Sequence, residues 1–197
     1  MILWINGAFG VGKTTTAYEL NRRLKNSFVY DPESAGYFIR RNTNDLFSVS
    51  DFQDIPIWRE INYKLLAMIA KKYDGTIIVP MTLANPMYYH EIIEKLILEG
   101  VKVEHYILYA KHDIVERRLK KRMLPFIGNE DFALSAIDRC IDFFDNHVTD
   151  VKINTENMSV DHVVEKIADL SNLKLSVGRR TPLLRFFHKL YIKLKRI

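Results

Sequence analysis

Gly7-Ala8-Phe9-Gly10-Val11-Gly12-Lys13-Thr14 matches the pattern G-x-x-x-x-G-K-[ST]. Before it stands Ile2-Leu3-Trp4-Ile5-Asn6, an apolar run of the kind that makes a buried strand. After it, Thr14 to Lys25 has the spacing of a helix. Strand, glycine turn and helix in that order build a phosphate cradle. The glycines let backbone N–H groups turn inward, and the positive end of the helix dipole adds its attraction. Lys13 is placed to reach the β- and γ-phosphates, and the Thr14 hydroxyl to ligate Mg²⁺. The expected nucleotide contacts are Gly7, Ala8, Phe9, Gly10, Val11, Gly12, Lys13, Thr14 and Thr15. A chance glycine turn with an exposed lysine is the alternative, and the agreement of pattern with context weighs against it. The sequence has no N-K-x-D guanine signature, which favours ATP over GTP.

Working outward, short β-type runs alternate with longer helical patterns. Ser27 to Asp31, Thr76 to Val79, Val101 to Tyr109 and Val151 to Asn154 read as further strands. Ile57 to Tyr73 reads as a helix with an apolar stripe at Ile57, Ile61, Leu65, Met68 and Ile69. Asn85-Pro86 is an N-cap followed by proline at the first helical position, and Gly100 closes that helix. Lys111 to Met123, Asp131 to Phe144 and Asp161 to Leu170 are further helices. Such alternation predicts an α/β fold with an open, mostly parallel sheet covered on both faces.

With 197 residues, 48% of them hydrophobic and 27% charged, the chain has the composition of a single folded domain. One cysteine, Cys140, excludes an internal disulfide. The N-terminal residues show no signal-peptide pattern, and no stretch approaches the roughly 18 apolar residues of a membrane span. The expected compartment is the cytoplasm. Net charge is +5, and it is unevenly placed. Beyond Asp169 there are eight Lys and Arg and no acid, so the first 169 residues are net −3. The expected division is a nucleotide-binding domain over residues 1–171, a linker over 172–181 and a basic tail helix over 182–197. On that helix Leu183, Phe187, Leu190, Leu194 and Ile197 fall at helical spacing, and Arg185, Lys189, Lys193 and Arg196 lie mainly elsewhere. A helix of this kind lies on an anionic membrane surface or docks on protein. No nucleic-acid motif accompanies the basic tail, so no nucleic-acid partner is expected. An oligomer is left open.

Phosphoryl transfer needs a carboxylate near the loop. The third strand ends Val79-Pro80-Met81-Thr82 without one, whereas the second ends Asp31-Pro32-Glu33. Asp31 is therefore the expected general base or Mg²⁺ contact, with Glu33 second; the alternative is that Asp31 only caps the next helix. Arg118 and Arg122 lie four apart on one helix face, ahead of a candidate lid at Met123 to Phe132. There they would neutralise charge on the transferred group, with Arg139 a further cation. A solvated basic face is the alternative. Tyr37, Phe38, Phe47, Phe52, Trp58 and Tyr63 crowd the stretch between the second and third strands, where the acceptor is expected; an aromatic core beneath a helical cap is the equally weighted alternative for each of them. Arg40 and Arg59 are the polar groups assigned to that pocket. The scattered histidines have no metal-ligand spacing.

Trp4-Ile5-Asn6-Gly7-Ala8-Phe9-Gly10, Tyr30-Asp31-Pro32-Glu33 with Gly36 and Arg40, Ile78-Val79-Pro80-Met81-Thr82 and Ile137-Asp138-Arg139-Cys140 resemble the bacterial tunicamycin-resistance proteins. These are P-loop ATP-binding proteins similar in fold to small-molecule kinases. The resemblance covers roughly residues 1–170. It implies a five-stranded parallel sheet of order 2-3-1-4-5, ATP and Mg²⁺ as cofactors, and a nucleoside antibiotic, tunicamycin, as ligand. ATP-dependent phosphorylation of the drug and ATP-dependent sequestration are both compatible with it. A mass-shift assay on the drug separates them.

Overall fold

The structure, a computed structural model, describes residues 1–43, 46, 49, 51–121, 130–176, 178–181 and 184. At its centre is β1, Ile2–Gly7, with every residue buried. An apolar run without polar alternation must be covered on both faces. Leu3 and Ile5 face one helical layer, and Ile2 and Trp4 face the other. β1 pairs in parallel with β3 (Thr76–Pro80) and with β4 (Val103–Tyr109). At the edges β2 (Ser27–Val29) joins β3 and β5 (Val151–Asn154) joins β4. Among the described residues the sheet has five strands in the order 2-3-1-4-5.

The Leu3/Ile5 side is covered by α1 (Lys13–Arg23), α6 (His112–Lys120), α8 (Ile137–Asn146) and α9 (Val160–Leu170). The Ile2/Trp4 side is covered by α3 (Pro56–Lys72) and by the helical run α4 (Pro86–Tyr89), a π turn at His90–Glu94 and α5 (Lys95–Leu98). Asn85 caps α4 through its side chain, which accepts from Met87 N and Tyr88 N, with Pro86 in the first turn. α2 (Glu33–Thr43) and a 3₁₀ turn at Phe52–Asp54 close the space between β2 and α3.

Two expectations change. The helix read over Asp131 to Phe144 is two, α7 (Glu130–Ser135) and α8, separated at Ala136. α2, to which no bounds were assigned, starts after Asp31-Pro32, where Asp31 capping a helix was the alternative. The stripe read on α3 is not its buried face. Ile57, Leu65 and Met68 are exposed, while Trp58, Arg59, Asn62, Leu66 and Ala67 are buried. Polar residues can take the inner face because each has partners. Asn62 Oδ1 accepts from Tyr30 OH at 2.8 Å, and Asn62 Nδ2 donates to Trp58 O at 2.8 Å.

The expected linker runs along α1 and α9. Ser176 donates to Arg23 O through both N, at 2.7 Å, and Oγ, at 3.0 Å. Arg22 Nη2 donates to Gly178 O at 2.7 Å. Arg179 grips Glu165 with Nε at 3.0 Å and Nη2 at 2.6 Å. The tail beyond it lies outside the described residues except for Leu184, which is exposed. Among the described residues no helix is long and apolar enough to cross a membrane.

Glu165 also accepts from Arg23 Nη2 at 3.0 Å. Arg179 first and Arg23 with it hold its carboxyl down to about 2. A carboxyl depressed in the folded state contributes stability above its unfolded value, about 4.3, and loses it as pH falls toward the folded one. Glu165→Gln is therefore expected to lower the melting temperature by about 2–4 °C at pH 7. The gap to the parent should close between about pH 5 and pH 2, and thermal melts across that range check it.

Candidate functional site

The loop between β1 and α1 stands at the carboxyl edge of the central strand. Gly7 has φ +132, and a Cβ there would meet Leu108 O at 2.2 Å. Gly10 has φ +84, and a Cβ there would meet Leu119 Cγ at 2.8 Å. The pattern's first glycine is thus required by the neighbouring strand β4, and Gly10 by α6. Gly12 enters α1 in left-handed conformation without a side-chain cap. The first-turn amides of α1 accordingly have no intrahelical acceptor, since helical bonding begins with Thr16 N on Gly12 O at 3.0 Å. Such amides, with the dipole behind them, suit an anion.

Lys13 lies across this loop. Its Nζ donates to Gly7 O at 2.8 Å and Ala8 O at 2.9 Å, and lies 5.3 Å from the Phe9 ring centroid. Gly7 O also accepts from Thr82 Oγ1 at 2.9 Å. Ala8 and Val11 are buried, which anchors the loop, while Gly12, Lys13, Thr14 and Thr15 are only partly covered. The ammonium of Lys13 beside first-turn amides without an intrahelical acceptor fits an anion such as a polyphosphate.

Asp31 follows β2 and is half-buried. Its Oδ1 accepts from Glu33 N at 3.2 Å, so it does cap the start of α2. Burial, and then the neighbouring Asp31 carboxylate, push the Tyr30 hydroxyl well above its ordinary value. Glu33 opens α2, where a carboxylate is favourable to the helix dipole.

The residues assigned to the acceptor have different surroundings from those expected. Trp58 is fully buried, and its Nε1 donates to Pro32 O at 3.0 Å. This corrects the expectation that its ring meets a ligand: the indole holds the Asp31-Pro32-Glu33 turn from beneath. Arg59 is buried too. It donates to Glu91 Oε2 at 2.5 Å and to Gln53 O, and its guanidinium lies 4.6 Å from the Tyr88 ring. It ties the 3₁₀ turn and the α4 segment to α3. Tyr88 donates to Asp54, and burial with that contact pushes its hydroxyl up to about 12. Arg40 is half-buried, with its guanidinium 4.2 Å from the Phe52 ring and Nη2 on Val49 O at 3.2 Å. Phe52 also lies flat under Gly36, where a Cβ would meet its Cγ at 2.3 Å.

Arg118 spends its donors on the β5–α9 connection: Thr155 Oγ1 at 3.0 Å, Thr155 O at 2.7 Å and Glu156 O at 3.4 Å. It joins α6, the helix against Gly10, to the loop after β5. Arg122 and residues 123–129 of the candidate lid lie outside the described residues, as does Phe47.

Asp51 was not singled out in the sequence. Its carboxylate caps the 3₁₀ turn through Gln53 N at 3.0 Å and also accepts from Gln53 Nε2 at 3.2 Å. Burial holds it above the usual carboxylate range, against the hydrogen bonds from Gln53 and the charge of Arg139. The buried Cys140 thiol is pushed up to about 11 by burial, against Lys13 and Arg139. Asp51, Arg139 and Lys13, from three separate segments, therefore share one electrostatic neighbourhood. The readable signal was the N-cap pattern Asp51-Phe52-Gln53, which does not reveal what the cap faces.

No family model matches the chain, and no curated protein matches it. Solved structures do. The tunicamycin resistance protein of Deinococcus radiodurans is 30% identical, with 90% of this chain and 98% of that chain covered at a TM-score of 0.74. A shikimate kinase from Bacteroides thetaiotaomicron is 18% identical over 88% of this chain and 99% of that chain, at a TM-score of 0.59. A deoxyadenosine kinase from M. mycoides is 19% identical over 87% of this chain and 99% of that chain, at 0.54. The two kinases share the fold. The D. radiodurans protein shares that fold over nearly its whole length at 30% identity, and the chain belongs to the tunicamycin-resistance protein family.

Proposed function

We propose that this protein transfers the terminal phosphoryl group of ATP to a hydroxyl of tunicamycin or a similar nucleoside antibiotic. The observation that carries the reading is the position of Lys13. Its ammonium rests on loop carbonyls beside the first-turn amides of α1, where a bound phosphate would exchange for one of those contacts. Mg²⁺ carried with ATP would be ligated by Thr14, approached by Asp31, and would neutralise charge on the phosphates.

In the proposed reaction Asp31 takes the proton of the acceptor hydroxyl. That oxygen forms the new P–O bond as the bond from the transferred phosphorus to the ADP oxygen breaks. Arg118 and Arg122 supply positive charge on the nucleotide side, Arg118 from its seat on the β5–α9 connection. Glu33 and Arg40 border the acceptor side, with Trp58 and Arg59 shaping it from within. Drug and Mg-ATP incubated together should yield a product heavier by one phosphate. Drug that binds tightly at unchanged mass would instead favour sequestration.

Lys13→Ala removes a charged phosphate contact worth about 1.5–3 kcal/mol. Nucleotide affinity is expected to fall accordingly with the thermal melt unchanged; calorimetric titration with Mg-ATP measures it. A folded variant with parental affinity refutes the assignment. Asp31→Asn keeps an acceptor for Glu33 N, so α2 stays capped. Affinity for ATP should hold within a few fold while transfer falls roughly 10²–10⁴-fold, the usual contribution of a general base. Parental turnover in that variant would move the base elsewhere.

We also infer that the basic tail tethers the domain to an anionic membrane. Sixteen residues reach only about 24 Å as a helix and carry too much charge to cross a bilayer. Each basic residue at such a surface contributes about 1 kcal/mol. Ser176 and Arg179 hold the segment that precedes the tail on α1 and α9. Deleting residues 180–197 is expected to release the protein from anionic vesicles at low salt and leave Mg-ATP binding intact. Co-sedimentation reads the first effect; full-length protein that ignores such vesicles excludes the tether.

A further inference from the structure

A string of polar side chains, partly exposed at its Asp150 end and buried at His105 and Asn6, crosses the sheet and ends at the phosphate loop. It starts at Asp150, just before β5. Asp150 Oδ2 lies 2.9 Å from His105 Nδ1 and accepts from Tyr89 OH at 2.9 Å. The Tyr89 ring stands edge-on to the imidazole, with centroids 5.3 Å apart. His105 Nε2 lies 3.0 Å from Asn6 Nδ2. Asn6, fully buried, then makes every bond a carboxamide can. Oδ1 accepts from Gly7 N at 2.8 Å and Leu83 N at 2.9 Å, and Nδ2 donates to Leu83 O at 3.0 Å as well as to His105.

Donor and acceptor logic orders the whole string. An ionised carboxylate only accepts, so Nδ1 of His105 carries the proton and Nε2 presents a lone pair. Burial alone would raise the Asp150 carboxyl, but the bonds from His105 and Tyr89 bring it below its ordinary value. The backbone at Gly7 and Leu83 sets which end of Asn6 faces His105, and the lone pair on Nε2 accepts the remaining carboxamide N–H. A flipped Asn6 would set its NH₂ against Gly7 N and Leu83 N, leaving donors opposed inside the core. Gly7 is the first residue of the loop, and its own carbonyl accepts from Lys13 Nζ and Thr82 Oγ1. Asp150 is thus linked to the lysine through the His105 and Asn6 side chains and the backbone of Gly7.

We propose that His105 and Asp150 are positioning residues for the phosphate loop: they hold the Asn6 carboxamide, and through it the entry of the chain into the loop at Gly7. Neither touches the nucleotide. The proposal rests on the reading of residues 7–14 as the phosphate cradle, and it is tested by a measurement that needs no nucleotide as well as by one that does.

The variants are His105→Leu, His105→Gln and Asp150→Asn in the full chain. Hydrogen exchange is followed in the peptide containing residues 5–14, with the α9 peptide as control, and Mg-ATP affinity is measured by calorimetry. His105→Leu is expected to speed exchange in the loop peptide and weaken Mg-ATP about tenfold, the consequence of one buried donor left unpaired. Asp150→Asn, which no longer steers the imidazole proton, shifts both in the same direction. His105→Gln keeps a donor for Asp150 and an acceptor for Asn6, and should remain within about threefold of the parent on both. The α9 peptide should not change. Parental loop exchange in His105→Leu and Asp150→Asn overturns the proposal. So does equal impairment of His105→Gln and His105→Leu, or equal acceleration of α9, since each would mean a general loss of packing. If His105→Leu does not fold, Asp150→Asn against His105→Gln decides in the same terms. Parent protein that binds no Mg-ATP refutes the nucleotide reading alone, and loop exchange still judges the string.

Discussion

The carbonyl oxygen of Leu108 lies 2.2 Å from where a Cβ on Gly7 would stand. No side chain fits there, so β4 and the start of the phosphate loop run in direct backbone contact. The β1–β4 register continues unbroken from Ile2 opposite Val103 to Gly7 opposite Leu108. The chain must then leave the sheet in the left-handed region, which glycine adopts without penalty. Leu119 of α6 closes on Gly10 from the other side. The strand and helix around the loop therefore constrain its shape, and preorganisation of this kind lowers the cost of binding.

The same interior explains why so many polar groups are buried beside the site. β1 pairs with β3 as far as Ile5 opposite Pro80. Proline has no N–H to continue a ladder. Beyond it the chain is held by side chains from β1: Trp4 Nε1 donates to Met81 O at 3.1 Å, and Asn6 bonds Leu83 in both directions. Thr82, between them, reaches back to Gly7 O. Each bond contributes modestly, but a buried donor left unpaired costs about 1–3 kcal/mol, which makes the arrangement specific. Sheet stability and loop placement are one set of contacts.

The region proposed for the acceptor is assembled differently. It is built from α2, the 3₁₀ turn, α3 and α4, segments that do not pair in the sheet. They are joined by Trp58 on Pro32 O, Arg59 on Gln53 O and Glu91, and Arg40 over Phe52. Two of the three are wholly inside the protein. Aromatic and arginine residues that look like a ligand-stacking set are in good part the scaffold that joins these segments.

Much of this was legible in the residues themselves. The loop pattern sits between an apolar run and a helical period, so the central strand, the first helix and the cradle between them follow from local chemistry. The strand–helix alternation and the Asn85-Pro86 cap are local in the same sense, because period and capping involve residues a few positions apart. What the chain does with polar residues far apart in sequence was not legible. Trp58 and Arg59 could face a ligand or the core, and only the partners at Pro32, Gln53 and Glu91 decide. Ile57, Leu65 and Met68 mark one face of α3, but Arg59 and Asn62 take the inner face because tertiary contacts satisfy them. Asp51 became visible only when Arg139, from a separate helix, came near it. His105 and Asp150 are 45 residues apart and gained their connection to the loop when β4 and β5 were laid side by side. Sequence by itself determined the strands, most of the helices and the glycine loop after β1, because short-range geometry and solvation dictate them. Only the tertiary structure decided which buried polar groups serve each other, because hydrogen bonding between distant residues exists only once the sheet has brought them together.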